Sequence, residues 1–162
     1  MKPLPLIGVA ALVAGCSTPL PPAPWQSSAP PHPDSAAEGA PVQSVALTVD
    51  GYKRDVARAI YRNNPENLFD GAPPPTLRAV VVLSIHIDPA GRPLRLAVLR
   101  SNGYRELEEI ALASVRRAAP LPMPNRLIAR NGEAEFVETW LFRDDGRFQI
   151  RSLAEAQATL ED

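Results

Sequence analysis

The chain has one cysteine, two histidines, two lysines and 6% aromatic residues in 162 positions. A single thiol, Cys16, excludes an intramolecular disulfide, a zinc site built on a cysteine pair and an iron–sulfur cluster. His32 and His86 stand far apart, so no histidine-based metal centre and no cofactor are expected. An excess of either charge is also missing: 17 Lys+Arg against 18 Asp+Glu leave a formal net charge of -1. That balance gives no whole-chain electrostatic case for nucleic acid or for an anionic membrane surface. The near-absence of lysine among the basic residues, only Lys2 and Lys53, carries no functional weight. Long apolar runs are missing as well. The longest, residues 4–13, falls short of the roughly 20 residues a membrane-spanning helix needs, and Pro3 and Pro5 flank or enter its start. What the chain has in quantity is proline, 19 residues, and a length that accommodates one globular domain with tails.

The short apolar run ends in Val13-Ala14-Gly15-Cys16, after which the composition turns to Ser and Pro. An export signal fits this better than an anchor. Small residues at 14 and 15 let a protease approach the bond before Cys16, whose thiol can take a lipid. The aliphatic-small-small-Cys order at the end of an apolar run resembles a bacterial lipoprotein lipobox. That resemblance implies cleavage, a lipidated (palmitate-type) Cys16 as mature N-terminus, and a thiol-free folded part suited to an oxidising compartment. Ser17 lacks the acidic character of an inner-membrane retention signal, so the outer membrane is the expected location.

Residues 17–44 form a linker. Prolines 19, 21, 22, 24, 30, 31, 33 and 41 stand among Ala, Ser and Gln, and Leu20 and Trp25 are its large apolar residues before Val42. Such a segment has too little to bury to offset its ordering entropy and favours extended polyproline II conformations. Fully extended it would reach roughly 85 Å. His32, between Pro31 and Pro33, reads as solvated.

The folded region, residues 45–162, opens with a helix. Asp50 can cap it, and Tyr52, Val56, Ala59 and Ile60 recur at helical spacing until Asn63-Asn64-Pro65 stops it. From Leu77 the period changes to two: Leu77, Ala79, Val81, Leu83, Ile85 and Ile87 share one face, with Arg78, Val80, Val82, Ser84, His86 and Asp88 on the other. Asp88-Pro89-Ala90-Gly91 is a tight-turn sequence, returning the chain through Leu94, Leu96 and Val98. After Ser101-Asn102-Gly103, Leu107, Ile110, Ala111, Val115 and Ala118 make a second helical stripe. Glu106, Glu108 and Glu109 near its start and Arg116 and Arg117 near its end match the helix macrodipole. Prolines 120, 122 and 124 follow. Asn131-Gly132 signals a turn, residues 136–143 have the β-branched and aromatic content of a strand, and residues 147–150 form a short one. Residues 152–162 read as a weak terminal helix.

The stretch 80–124 resembles the C-terminal domain of TonB and TolA, periplasmic proteins that connect envelope machinery. The features that carry it are an apolar strand, the Gly91 turn, a second strand ending in Ser101-Asn102-Gly103, Leu107 followed by Ala111 and Val115, and a proline-punctuated exit. The resemblance implies a small two-layer α+β domain: an antiparallel sheet of three to four strands packed by helices, after a disordered tether. It also implies partner binding by the last long strand. TonB and TolA begin with a spanning helix that contacts a proton-driven motor; here a lipoprotein-like signal stands in its place, so tether reach and partner binding carry over and energy input does not.

Catalytic patterns are weak. Ser84, His86 and Asp88 spell a nucleophile-base-acid set on one strand face, but side chains two residues apart on a strand sit roughly 6.5 to 7 Å apart, beyond triad contact. They read as a polar, solvent-facing strip before a turn. The three glutamates at the second helix read as a solvated, dipole-matching set, and Arg116 and Arg117 as a helix-end complement. No phosphate loop or metalloprotease motif is present, so the chain is not expected to be an enzyme. Apolar residues on both faces of the strand 136–143 leave either a shielded second face or an exposed partner patch. The candidate partner-binding residues are Phe136, Glu138, Thr139, Trp140 and Phe142, at a sheet edge that accepts an extended segment. The expected role is a lipid-anchored envelope protein binding another envelope protein, an outer-membrane transporter or a Tol/Ton-type component. The alternative is a structural lipoprotein bracing an envelope complex.

Overall fold

The stripe around Tyr52 forms α1, Val49–Arg62, in a computed structural model that describes residues 42–129 and 131–156. The signal with Cys16, the linker up to residue 41 and residues 157–162 of the expected terminal helix lie outside the described residues. Thr48, not Asp50, caps α1: its backbone is extended and its Oγ1 accepts the Gly51 N–H at 3.1 Å, while Asp50 sits within the first turn. Thr48 has the cap role because the helix begins two residues earlier than a cap at Asp50 implies, and Asp50 still complements the dipole there.

The period-two run becomes β1, Ala79–Ile87, and the hairpin returns as β2, Pro93–Arg100. Helix α2 covers Arg105–Arg117, β3 runs Ala134–Phe142 and β4 is the short Phe148–Ile150. All pairings are antiparallel and the sheet order is β2-β1-β3-β4. The two long strands β1 and β3 are therefore central, in continuous register from Ala79↔Phe142 to Ile87↔Ala134. The expected edge strand is internal along its C-terminal third, because β4 folds back beside Trp140, Leu141 and Phe142.

Both helices lie on one face of the sheet. Ala79, Val81, Leu83, Ile85 and Ile87 of β1 and Phe136, Trp140 and Phe142 of β3 meet Tyr52, Val56 and Ile60 of α1 and Leu107, Ala111 and Val115 of α2 in one buried cluster. Burial of large side chains contributes about 1.5 to 3 kcal/mol each, and Trp140 shows how it is directed: its indole N–H donates to Ser114 Oγ at 3.1 Å, and Ser114 Oγ donates to Ala111 O at 2.7 Å. Asn64 joins the helices. Its Nδ2 donates to Ile60 O at 2.8 Å and Ser114 O at 3.1 Å, and its Oδ1 accepts from Arg117 Nη1 at 2.6 Å.

The opposite face has neither helix. Val80, Val82 and Thr139 are half-buried there and Val137 is exposed. Near the end of the sheet, residues 68–71 close over β4: Leu68 bridges Phe148, and Gln149 Nε2 donates to Phe69 O and Gly71 O, both at 2.8 Å. The 151–156 segment is a turn followed by irregular chain, not a helix; Leu153 packs inward while too few apolar residues follow it to hold a turn of helix against the core. The packed region also reaches back past residue 45. Ser44 is buried, its N–H donates to Met123 O at 2.9 Å and its hydroxyl to Asp55 at 2.7 Å.

Candidate partner-binding edge

Backbone direction in β3 follows from its bonds to the segment around β4. Arg151 N donates to Thr139 O and Arg143 N to Arg147 O, both at 2.9 Å, so Thr139 and Arg143 turn their backbone groups away from β1. Strand alternation turns Glu135 and Val137 the same way, and Phe136, Glu138 and Trp140 toward β1. β4 pairs with Trp140, Leu141 and Phe142 alone. Among the described residues, no strand meets the backbone of Glu135 and Val137 on that side.

The side chains expected to touch a partner are placed otherwise. Phe136 (5% exposed), Trp140 (0%) and Phe142 (0%) belong to the core, and Glu138 is 3% exposed. Their even positions face α1 and α2, a consequence of register that an aromatic-rich strand with apolar residues on both faces does not reveal. Thr139 is half-buried on the opposite face. Its N–H, turned to the edge, is met by the Glu138 carboxylate at 2.8 Å, so one of the five residues caps another. Glu138 Oε2 is a buried carboxylate oxygen with no hydrogen-bond partner. Glu138 also helps, after burial, to push the Tyr61 hydroxyl above its ordinary range. What the edge offers is backbone, with exposed Val137 beside it.

The other edge is built differently. Pairing along β1–β2 slips between Val82↔Arg100 and Leu83↔Val98, and again between His86↔Arg95 and Ile87↔Pro93. These slips leave Leu99 and Leu94 as extra residues on β2, and both are exposed. Bulges at both ends, with Pro93 and two arginines, blunt β2 against pairing with another chain.

Beside the start of β3 lies a polar cluster. Ser84, His86 and Asp88 are buried, contrary to the solvent-facing strip expected of them, because the cross-strand neighbours Arg95 and Glu135 and the preceding Glu133 close over the ring. Ser84 Oγ approaches His86 Nε2 at 3.4 Å, nearer than ideal strand geometry allows for side chains held upright. Asp88 does not join them. Its carboxylate accepts the Ala90 and Arg92 N–H groups, both at 2.9 Å, and Arg92 Nε at 2.7 Å. The Arg92 N–H is the main reason its carboxyl titrates below the usual carboxylate range. The acid near His86 is Glu133, with Oε1 3.2 Å from Nδ1. Ser84 pairs with Ala97 on one side and Val137 on the other within the central ladder. A strand so placed has its own backbone N–H groups committed to its neighbours.

Residues 76–139 match the family model described as Gram-negative bacterial TonB protein C-terminal. No curated protein and no solved structure matches the chain.

Proposed function

Because residues 76–139 match the TonB C-terminal family model, we propose that this chain is a lipid-anchored envelope protein whose tethered domain receives an extended segment of another envelope protein along β3. The family is one of protein interaction in the bacterial envelope and is not catalytic. The observation that carries the reading is the half-covered strand: β4 stops at Trp140, and the backbone of Glu135 and Val137 beyond it meets no strand among the described residues. An added strand satisfies such groups with little dependence on its own sequence. Blunted β2 supports β3 as the receiving edge.

In this reading the buried aromatics serve the sheet, and recognition rests on main-chain pairing, Val137 and the capped Thr139 N–H. Anchoring rests on Cys16, and the proline-rich linker supplies reach. The test is a pair of proline substitutions. Val137→Pro removes an outward N–H and should leave the fold intact while lowering partner capture at least tenfold; Phe136→Pro removes a β1 ladder bond and should unfold the domain. Photocrosslinking from position 137 in intact cells identifies the partner, and fatty-acid labelling lost in Cys16→Ser checks the anchor. Wild-type capture by a folded Val137→Pro protein would rule out strand addition at this edge.

A further inference from the structure

His86 is an imidazole held in place on a central strand, with its side chain 8% exposed. Two carboxylates approach it from β3 and the turn before it: Glu133 Oε1 lies 3.2 Å from Nδ1 and Glu135 Oε1 3.6 Å from Nε2. A neutral imidazole has one N–H, so it can donate to only one of the two. Arg95 Nη2 stands 3.3 Å from Nδ1, and no ion pair joins Arg95 to either glutamate among the described residues. One nitrogen of His86 and one oxygen from each glutamate lie within 4.8 Å of one another.

We propose that His86, Glu133 and Glu135 bind a divalent transition-metal ion of the zinc type. Zinc takes imidazole nitrogen at about 2.0–2.1 Å and carboxylate oxygen at about 2.0–2.2 Å, so tetrahedral ligand atoms sit roughly 3.3–3.5 Å apart. One ion takes one ring nitrogen, so the carboxylate standing at the other must swing around the ring to join it; the glutamate side chains, 37% and 64% exposed, have room for that rotation while the ring stays fixed. His86 and Glu135 are direct cross-strand partners, which gives two of the ligands a rigid base. Both glutamates also line a cavity of about 570 Å³ with Leu47, Val49, Leu127 and Asn131, which brings water to their carboxylates. Calcium and magnesium prefer shells of oxygen alone, which an imidazole with two carboxylates does not provide. Arg95 is the charge that opposes the ion.

The experiment is a zinc chloride titration of the full chain carrying Cys16→Ser, followed by calorimetry and by the ring nitrogen resonances of His86. One equivalent should bind with micromolar affinity and shift the His86 resonances. Glu133→Gln and Glu135→Gln should each weaken binding at least tenfold, His32→Asn should leave it unchanged, and Arg95→Gln should tighten it. Excess magnesium should not compete. Glu135 is the most exposed ligand, so Glu135→Gln tests the site even if His86→Asn fails to fold. Absence of saturable binding, or binding insensitive to both glutamine substitutions in folded protein, overturns the proposal.

Discussion

Gly91 is the residue whose side chain the fold cannot accept. Its φ is +80°, and a Cβ there would stand 2.0 Å from Leu121 O, while its own carbonyl accepts the Leu121 N–H at 2.8 Å. The hairpin turn is thereby stitched to the proline-rich exit of α2. Gly91→Ala combines left-handed strain with a backbone collision and should cost about 3 kcal/mol or more, measured by chemical denaturation; a loss under about 1 kcal/mol would mean the contact yields. Asp88 sets the same turn by accepting two N–H groups. Its folded pKa is lowered, so its stabilisation is fully present above the unfolded value near 3.9 and disappears as pH falls through the folded one. As pH falls below about 4 the melting midpoint of wild type should drop more steeply than that of Asp88→Asn. Asp145, drawn down to about 2 chiefly by Arg143, keeps some acid sensitivity in both proteins.

Among the elements, the two outer strands have opposite treatments. β2 is long but bulged at both ends, and each bulge turns a leucine to solvent. β4 is regular but short, and is fastened from outside by Gln149, which donates to two carbonyls of the 68–71 segment. Gln149→Leu strands those carbonyls and should destabilise the domain by about 1–3 kcal/mol. Hydrogen exchange should speed at Leu141 and Arg143, whose amides face β4, before it speeds at Phe136 or Trp140. Uniform acceleration along β3 would mean that β4 is not a separate opening unit.

At the scale of the molecule, the linker does not simply end where the helix starts. Residues 42–46 are strapped to the α2 exit: Met123 N donates to Val42 O at 2.9 Å, Ser44 N to Met123 O at 2.9 Å and Asn125 Nδ2 to Ala46 O at 2.6 Å. A tether leaving from this strap has a defined exit point on the domain. A fragment beginning at Val42 should melt close to the mature chain, and one beginning at Thr48 should lose about 2 kcal/mol. Equal midpoints for the two fragments would reduce the strap to a passive contact.

Periodicity determined the two helices and the first hairpin. Leu107, Ala111 and Val115, or Val81, Leu83 and Ile85, leave little choice of helix or strand, because burying one face requires that spacing. The turn at Asp88 to Gly91 was equally legible, since its residues act on their own backbone. Tertiary structure decided what depends on neighbours distant in sequence. Which face of β3 is buried follows from its register with β1, and that register sends Trp140 and Phe142 inward to the helices. How much of β3 remains open depends on where β4 stops. Cross-strand pairing sets Glu135 opposite His86, with Glu133 at its other ring nitrogen, and no spacing along the chain announces a cluster assembled from positions so far apart.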